Sequence, residues 1–185
     1  MILFNAALAL VLANEGGLVT SGQAVRMGDP GGATYKGITR RTLDGMGICR
    51  DPSTFTDEEV ADFYRAHYWA PVSGVSLAGS GLALALMDAG VQHGPGRAVE
   101  WLQELVGANP DGQLGPETLL RTGRYVEEHG NGTLLLQYHA RRRQFLLTWA
   151  LSNGRRHQLV RGLIRRVDAV LLAALSVDVL ASFKP

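Results

Sequence analysis

The spacing of apolar residues is the feature that most constrains this fold. Apolar side chains recur at helical intervals through most of the 185 residues. The exception is a glycine-rich stretch at about 18–40, where short β-prone runs predict a loop and a small irregular hairpin. The sequence therefore predicts a mainly α (α+β) fold, a helical bundle with a small β-hairpin lobe near the N-terminus. Helices are predicted over 2–14, 57–70, 81–91, 96–106, 116–127, 133–152 and 156–181.

Helix boundaries are marked by capping residues. Gly16 and Gly17 follow the first predicted helix, as glycines commonly do just beyond a helix C-terminus. Thr56 and Glu59 have the spacing of a capping box, and Pro116 fits the first position of a helix. The small-residue apolar helix 81–91 is expected to be central and buried.

The single cysteine excludes several classes of protein. Cys49 has no partner for an internal disulfide, and no neighbouring residues suggest a metal site or an activated thiol. We therefore expect no disulfide framework, no metal and no cofactor.

The net charge of +1 hides an uneven distribution. Residues 1–132 hold 9 Lys and Arg against 15 Asp and Glu, whereas residues 133–185 hold 9 against 2. Such a basic segment can attract nucleic acid, an anionic membrane or an anionic wall polymer. The alternative is a solvated helix face that pairs with the acidic half. We expect Arg142, Arg155 and Arg156 to be exposed and to help in attracting a polyanionic wall; no nucleic-acid-reading motif is recognisable.

Two apolar segments raise the question of membrane insertion. Residues 1–13 lack a basic leading region and a cleavage site for a signal peptide. Residues 169–177 are too short to span a bilayer and are flanked by charges. Both are interpreted as core helices, so no stable membrane insertion and no cleavable signal peptide are expected.

Glu15 is the first candidate for chemistry. It follows an apolar helix, where the negative end of the helix dipole and nearby apolar surface both disfavour a charged carboxylate. A raised pKa suits a general acid that works near neutral pH. The alternative is an ordinary exposed Glu at a helix end.

The segment after Glu15 favours the catalytic interpretation. Asp29 lies in the following loop, and Thr34 enters the glycine-rich hairpin. Cleavage of a glycosidic bond needs an acid for the leaving oxygen and a second polar group for water or for the cation-like sugar. A hairpin lobe facing the first helix would place the two groups on opposite sides of a cleft.

Several motifs in order resemble one family. Glu15-Gly16-Gly17 is followed by Asp29-Pro30-Gly31-Gly32-Ala33-Thr34 and Gly37-Ile38-Thr39. This pattern resembles glycoside hydrolase family 108, the N-acetylmuramidases found in phage endolysins and bacterial relatives. The segments 68–69, 88–98, 101–103, 111–118 and 162–167 resemble the peptidoglycan-binding region that accompanies that family. The resemblance covers nearly the whole chain.

The resemblance implies a lysozyme-like fold and a peptidoglycan substrate. By this similarity Glu15 is the catalytic acid, with Asp29 and Thr34 as its acidic and hydroxyl partners. Residues 1–70 would form the catalytic muramidase region, and 71–185 a helical peptidoglycan-binding region packed with it as one compact unit. The protein would be a monomeric endolysin, made in the host cytoplasm and acting on the cell wall after release.

Five further residues are candidates for substrate binding. Asp88 on an apolar helix is costly unless paired, so it belongs either to a structural network or to the cleft. His93 is either a satisfied buried histidine or a contact to sugar or peptide. The aromatic residues at 64, 68 and 69 have core spacing, although one of them facing the cleft could stack on a sugar, and Trp101 is expected in the core. The substrate-binding set is Tyr35, Tyr68, Asp88, Gln92 and His93.

Two other functions stay open from the sequence. A lytic transglycosylase uses a single Glu and leaves an anhydro-sugar end. A non-catalytic wall-binding protein could keep the fold, but it would have no need for an acid at a helix end.

Overall fold

A computed structural model describes residues 2–14, 33–74, 80–152 and 157–182 of the chain. This part contains eight α-helices and one small antiparallel sheet, so the predicted mainly α fold with a small β-hairpin is confirmed. The helices are α1 (Ile2–Asn14), α2 (Arg40–Gly45), α3 (Asp57–Tyr64), α4 (Gly81–His93), α5 (Pro95–Val106), α6 (Pro116–His129), α7 (Asn131–Ser152) and α8 (His157–Ser182).

The predicted helices are confirmed, while three short elements were not predicted. These are α2, a 3₁₀ turn at Pro52–Thr54, and a π-helical turn at Arg65–Trp69 that continues α3. In the π-turn the N–H of Ala70 donates to the carbonyl of Arg65 at 2.9 Å. Such wider turns are set by tertiary packing and have no simple sequence signal.

The start of α3 shows the predicted capping box. The Glu59 N–H donates to the Thr56 hydroxyl at 3.3 Å, and the Thr56 N–H donates to the Glu59 carboxylate at 2.8 Å. Arg50 adds two hydrogen bonds to the same carboxylate, at 2.7 and 2.8 Å. The pKa of Glu59 is lowered to about 2, mainly by the hydrogen bonds from Arg50 and to a smaller extent by the Thr56 N–H.

The hairpin consists of β1 (Thr34–Tyr35) and β2 (Ile38–Thr39), paired antiparallel. Lys36 and Gly37 form its turn with φ of 47° and 80°, the left-handed conformation that two-residue hairpins favour. The Tyr64 hydroxyl donates to the Lys36 carbonyl at 2.9 Å, and the Lys36 ammonium pairs with Asp57 at 2.5 Å. Both contacts fix the hairpin on α3.

Helix α4 is the centre of the molecule, as its small apolar residues predicted. Every residue from 81 to 90 is buried, and α4 packs against α1, α5, α7 and α8. Gly81 permits the closest approach, because a Cβ there would lie 2.1 Å from the carbonyl oxygen of Ala174 in α8. The Gly81 N–H also donates to the Asp178 carboxylate at 2.8 Å, which ties α8 to the start of α4.

Among the helices in the described part of the chain, none is both long and apolar enough to cross a membrane.

Candidate active site

A cleft of about 540 Å³ lies where the hairpin, the π-turn, the end of α4 and the two C-terminal helices meet. A volume of this size is within the range of small-ligand sites. We call it the cleft throughout. Its described lining residues are Gly37, Thr39, Thr42, Tyr68, Val91, Gln92, His93, Phe145, Leu146, Trp149, Leu163 and Arg166.

Three of the predicted substrate-binding residues meet in the cleft. Tyr68 comes from the π-turn, and Gln92 and His93 come from the last turn of α4. All three side chains are half-buried, so each has accessible surface. Of the two aromatic neighbours, Tyr64 is buried in the core and Trp69 is half-buried with its ring 5.7 Å from that of Phe4 in α1.

Gln92 and His93 each hold a buried polar atom beside the cleft. Gln92 accepts a hydrogen bond from Arg142 at 2.8 Å through Oε1, while its Nε2 is buried and has no partner among the described residues. The Nε2 of His93 is likewise buried without a described partner. A buried polar atom without a partner costs free energy.

The His93 ring is neutral at ordinary pH. Burial, and secondarily the charge of Arg142, lower the pKa of His93 to about 4. The ring lies 5.2 Å from each of Trp101 and Phe145, in edge-on arrangements. Trp101 is only 2% exposed, which confirms its expected core position. A neutral imidazole can accept or donate one hydrogen bond, which suits an uncharged sugar.

Asp88 is corrected from a substrate-binding residue to a member of a structural network. Its side chain is 1% exposed and receives Arg142 Nη2 at 2.7 Å and Arg166 Nε at 2.8 Å, one on each carboxylate oxygen. An enclosed carboxylate with both oxygens occupied cannot reach a glycan strand. The cost of burying the charge is offset by this pairing.

The expectation that Arg142 is exposed is wrong. Its side chain is 0% exposed and lies beneath the cleft, bonded to Asp88 and Gln92. Elsewhere in the basic half, Arg141 pairs with Glu104, and Arg143 with Asp168. Pairing with acidic residues thus accounts for much of the basic cluster. Arg155 and Arg156 lie outside the described residues, whereas Arg161 and Arg165 are exposed on α8.

The hairpin candidates lie beside the cleft. Thr34 and Tyr35 are half-buried in β1 and are not among the described lining residues, to which the hairpin contributes Gly37 and Thr39. Glu15 and Asp29, the two predicted catalytic carboxylates, lie outside the described residues. The described residues of α1 reach Asn14, the residue that precedes Glu15 in the sequence.

Sequence reasoning missed the five cleft residues on α7 and α8, namely Phe145, Leu146, Trp149, Leu163 and Arg166. The i,i+4 spacing of Phe145 and Trp149 is a helical signal that places both on one face of α7. That spacing could have indicated an aromatic surface. It could not have indicated which part of the molecule the surface faces.

A second buried histidine makes stability depend on pH. Burial, followed by the charge of Arg142, lowers the pKa of His139 to about 3. Since its unfolded pKa is about 6.5, the unfolded chain takes up protons first as the pH falls. The stability that these two histidines contribute by staying neutral is therefore fully present above pH ~6.5. It is lost as the pH falls from that value toward their pKa values in the folded protein, about 4 for His93 and about 3 for His139.

We expect His139→Gln to reduce this pH dependence, because the amide keeps a polar side chain of similar size but does not titrate. The measurement is the thermal unfolding temperature of both proteins from pH 7 to pH 4. The drop should be smaller in the variant. Equal drops in the two proteins would contradict the role given to His139.

Comparison with known proteins identifies the family. The sequence model of the protein family Glycosyl hydrolase 108 matches residues 8–94. The sequence model of the family Predicted Peptidoglycan domain matches residues 97–168. A solved structure from Brucella abortus, that of SagA, is 31% identical, covers 94% of each chain and superposes with a TM-score of 0.75. The chain belongs to the glycosyl hydrolase 108 family. Comparison with curated proteins gives no significant match.

Membership of the glycosyl hydrolase 108 family establishes the general activity of the protein. The chain is a glycoside hydrolase that degrades peptidoglycan, and it carries a peptidoglycan-binding region after its catalytic region. The two family models meet between residues 94 and 97, at the junction of α4 and α5. The division at residues 70 and 71 stays a prediction.

Proposed function

We propose that this hydrolase is an N-acetylmuramidase (lysozyme) that cleaves the β-1,4 bond between N-acetylmuramic acid and N-acetylglucosamine, with Glu15 as general acid. The observation that carries the proposal is the match to glycosyl hydrolase 108 over residues 8–94, which includes Glu15. In the sequence, Glu15 follows an apolar segment and precedes Gly16 and Gly17, the position predicted for the end of the first helix. A helix dipole at such an end favours the protonated carboxyl that an acid needs.

The proposed chemistry gives each candidate residue a separate role. Glu15 gives its proton to the glycosidic oxygen as the bond breaks. Asp29 and Thr34 position water or stabilise the cation-like sugar. Tyr68, Gln92 and His93 hold the glycan in the cleft, where two buried nitrogen atoms lack described partners. We keep Tyr35, beside Thr34 in β1, as a substrate contact next to the cleft.

Product analysis tests the proposal against its rivals. Purified peptidoglycan digested with the protein is expected to yield fragments with a reducing N-acetylmuramic acid end, identified by mass spectrometry after borohydride reduction. A lytic transglycosylase forms an internal 1,6-anhydro ring instead, so anhydro ends that resist reduction would replace the hydrolytic assignment. Wall binding without fragment release would identify a non-catalytic binding protein.

The biological setting that we propose is that of a monomeric phage endolysin, bacteriolytic and made in the host cytoplasm. It would act on peptidoglycan after release to the wall. The wall-binding role of the basic half, first assigned to Arg142, Arg155 and Arg156, is better assigned to exposed residues such as Arg161 and Arg165.

A further inference from the structure

We propose that Trp149 is a glycan-stacking residue of the cleft, so that the peptidoglycan-binding region binds its polymer at the catalytic cleft and not on a separate face. The inference deepens the proposed function and rests on it. It is carried by the position of Trp149, which lies inside the match to the peptidoglycan domain yet lines the cleft.

Both family regions build the cleft. Tyr68, Gln92 and His93 belong to the stretch matched by glycosyl hydrolase 108. Phe145, Leu146, Trp149, Leu163 and Arg166 belong to the stretch matched by the peptidoglycan domain. A glycan strand lying in this cleft would therefore touch both regions at once.

The orientation of Trp149 follows from the packing of α7. Leu146 and Ala150 are buried, at 2% and 6% exposure, and hold α7 against the molecule. Phe145, one turn before Trp149 on the same face, lies 5.2 Å from the rings of His93 and Trp101. This aromatic cluster joins α4, α5 and α7, so the face that carries Trp149 is fixed relative to His93.

The chemistry of the cleft suits a glycan strand. Sugar rings present flat C–H faces that pack on aromatic rings and polar edges that need hydrogen bonds. Trp149 and Tyr68, both half-buried, offer aromatic surface, while Gln92 and His93 add polar side chains to the same lining. Arg166 adds positive charge to the lining, which favours the anionic stem peptides of peptidoglycan.

The test compares variants of the full-length chain on purified peptidoglycan. Trp149→Leu keeps an apolar side chain in place but removes the flat ring, and Trp149→Tyr keeps a smaller ring. Leu151→Ala is the matched control, because Leu151 lies two residues further on α7 and is 80% exposed. The rate of fragment release is measured against peptidoglycan concentration, and thermal unfolding shows that each variant is folded.

We expect Trp149→Leu to raise the half-saturating peptidoglycan concentration by several-fold up to roughly tenfold, since the flat ring that packs against a sugar face is removed. The maximal rate should change by less than about twofold, because uniform binding affects KM and not kcat. Trp149→Tyr should lie between wild type and Trp149→Leu, and Leu151→Ala should match wild type.

Two outcomes separate this inference from the proposed function. Wild-type protein that releases no reducing-end fragments would overturn the muramidase assignment. Active wild type with a Trp149→Leu variant that matches Leu151→Ala would overturn only the stacking role and would place peptidoglycan binding on another face. A loss confined to the maximal rate, with half-saturation unchanged, would also overturn the stacking role.

Discussion

Glu15→Gln is expected to lose wall-lysing activity by on the order of a thousandfold. The amide has nearly the same shape as the carboxyl group but carries no proton that it can give to the leaving oxygen. General acid catalysis typically contributes ~10²–10⁴ to the rate, and the glycosidic bond is cleaved poorly without protonation. The measurement is turbidity clearing of purified peptidoglycan, followed over a concentration series of each protein.

The control for this variant is another Glu→Gln exchange. Glu128 on α6 has a side chain that is 76% exposed, so Glu128→Gln should lyse peptidoglycan at the wild-type rate. Both variants should unfold at nearly the wild-type temperature. Lysis by Glu15→Gln at close to the wild-type rate would remove Glu15 as the acid, and the family's activity would then have to be assigned to another group.

Most of the helical architecture could be predicted because it depends on local signals. The capping box at Thr56 and Glu59 and the proline at the start of α6 marked helix starts that the structure confirms. The small apolar residues of α4 also predicted a buried central helix. The π-turn at 65–69 could not be predicted, since it is fixed by packing such as the Phe4 and Trp69 ring contact.

The candidate site was predicted only in part, because its residues are distant in sequence. Gln92 and His93 lie in the last turn of α4 and line the cleft, and both were candidates from the sequence. Phe145, Trp149 and Arg166 reach the same cleft from helices that begin more than 30 residues later, and helical periodicity does not specify which neighbour a face meets. Tertiary packing decides that.

Arg142 shows that a pattern of charges, like helical periodicity, does not specify which neighbours a side chain meets. The basic C-terminal half led to the expectation that Arg142 is exposed, but three successive helical positions point in different directions. Arg141 and Arg143 reach Glu104 and Asp168 at the surface, while Arg142 points inward to Asp88. A solitary Asp88 in an apolar helix was the sequence signal that a buried cation had to be found for it.

Asp88→Asn is therefore expected to destabilise the protein severely. The asparagine keeps one oxygen acceptor but places an NH₂ group against an arginine, and it leaves the buried guanidinium of Arg142 without its counter-charge. Breaking a buried ion pair in this way costs about 3–5 kcal/mol, a large part of the ~5–15 kcal/mol that stabilises a typical domain. At ~2–4 °C per kcal/mol for a chain of this size, the unfolding temperature should fall by on the order of 10 °C.

The matched control is Asp168→Asn, which removes a carboxylate that also pairs with an arginine of α7 but at the surface. The Arg143 and Asp168 side chains are 47% and 45% exposed, so water solvates Arg143 once its partner is gone. This control should lower the free energy of unfolding by less than about 1 kcal/mol, because exposed ion pairs contribute little.

Thermal and urea unfolding of the wild type and the two variants measures the difference in stability. If Asp88→Asn were no less stable than Asp168→Asn, the Asp88 network would not hold α4, α7 and α8 together beneath the cleft. If the difference is as large as expected, the network of Asp88, Arg142 and Arg166 also holds in place the Gln92 side chain that lines the cleft.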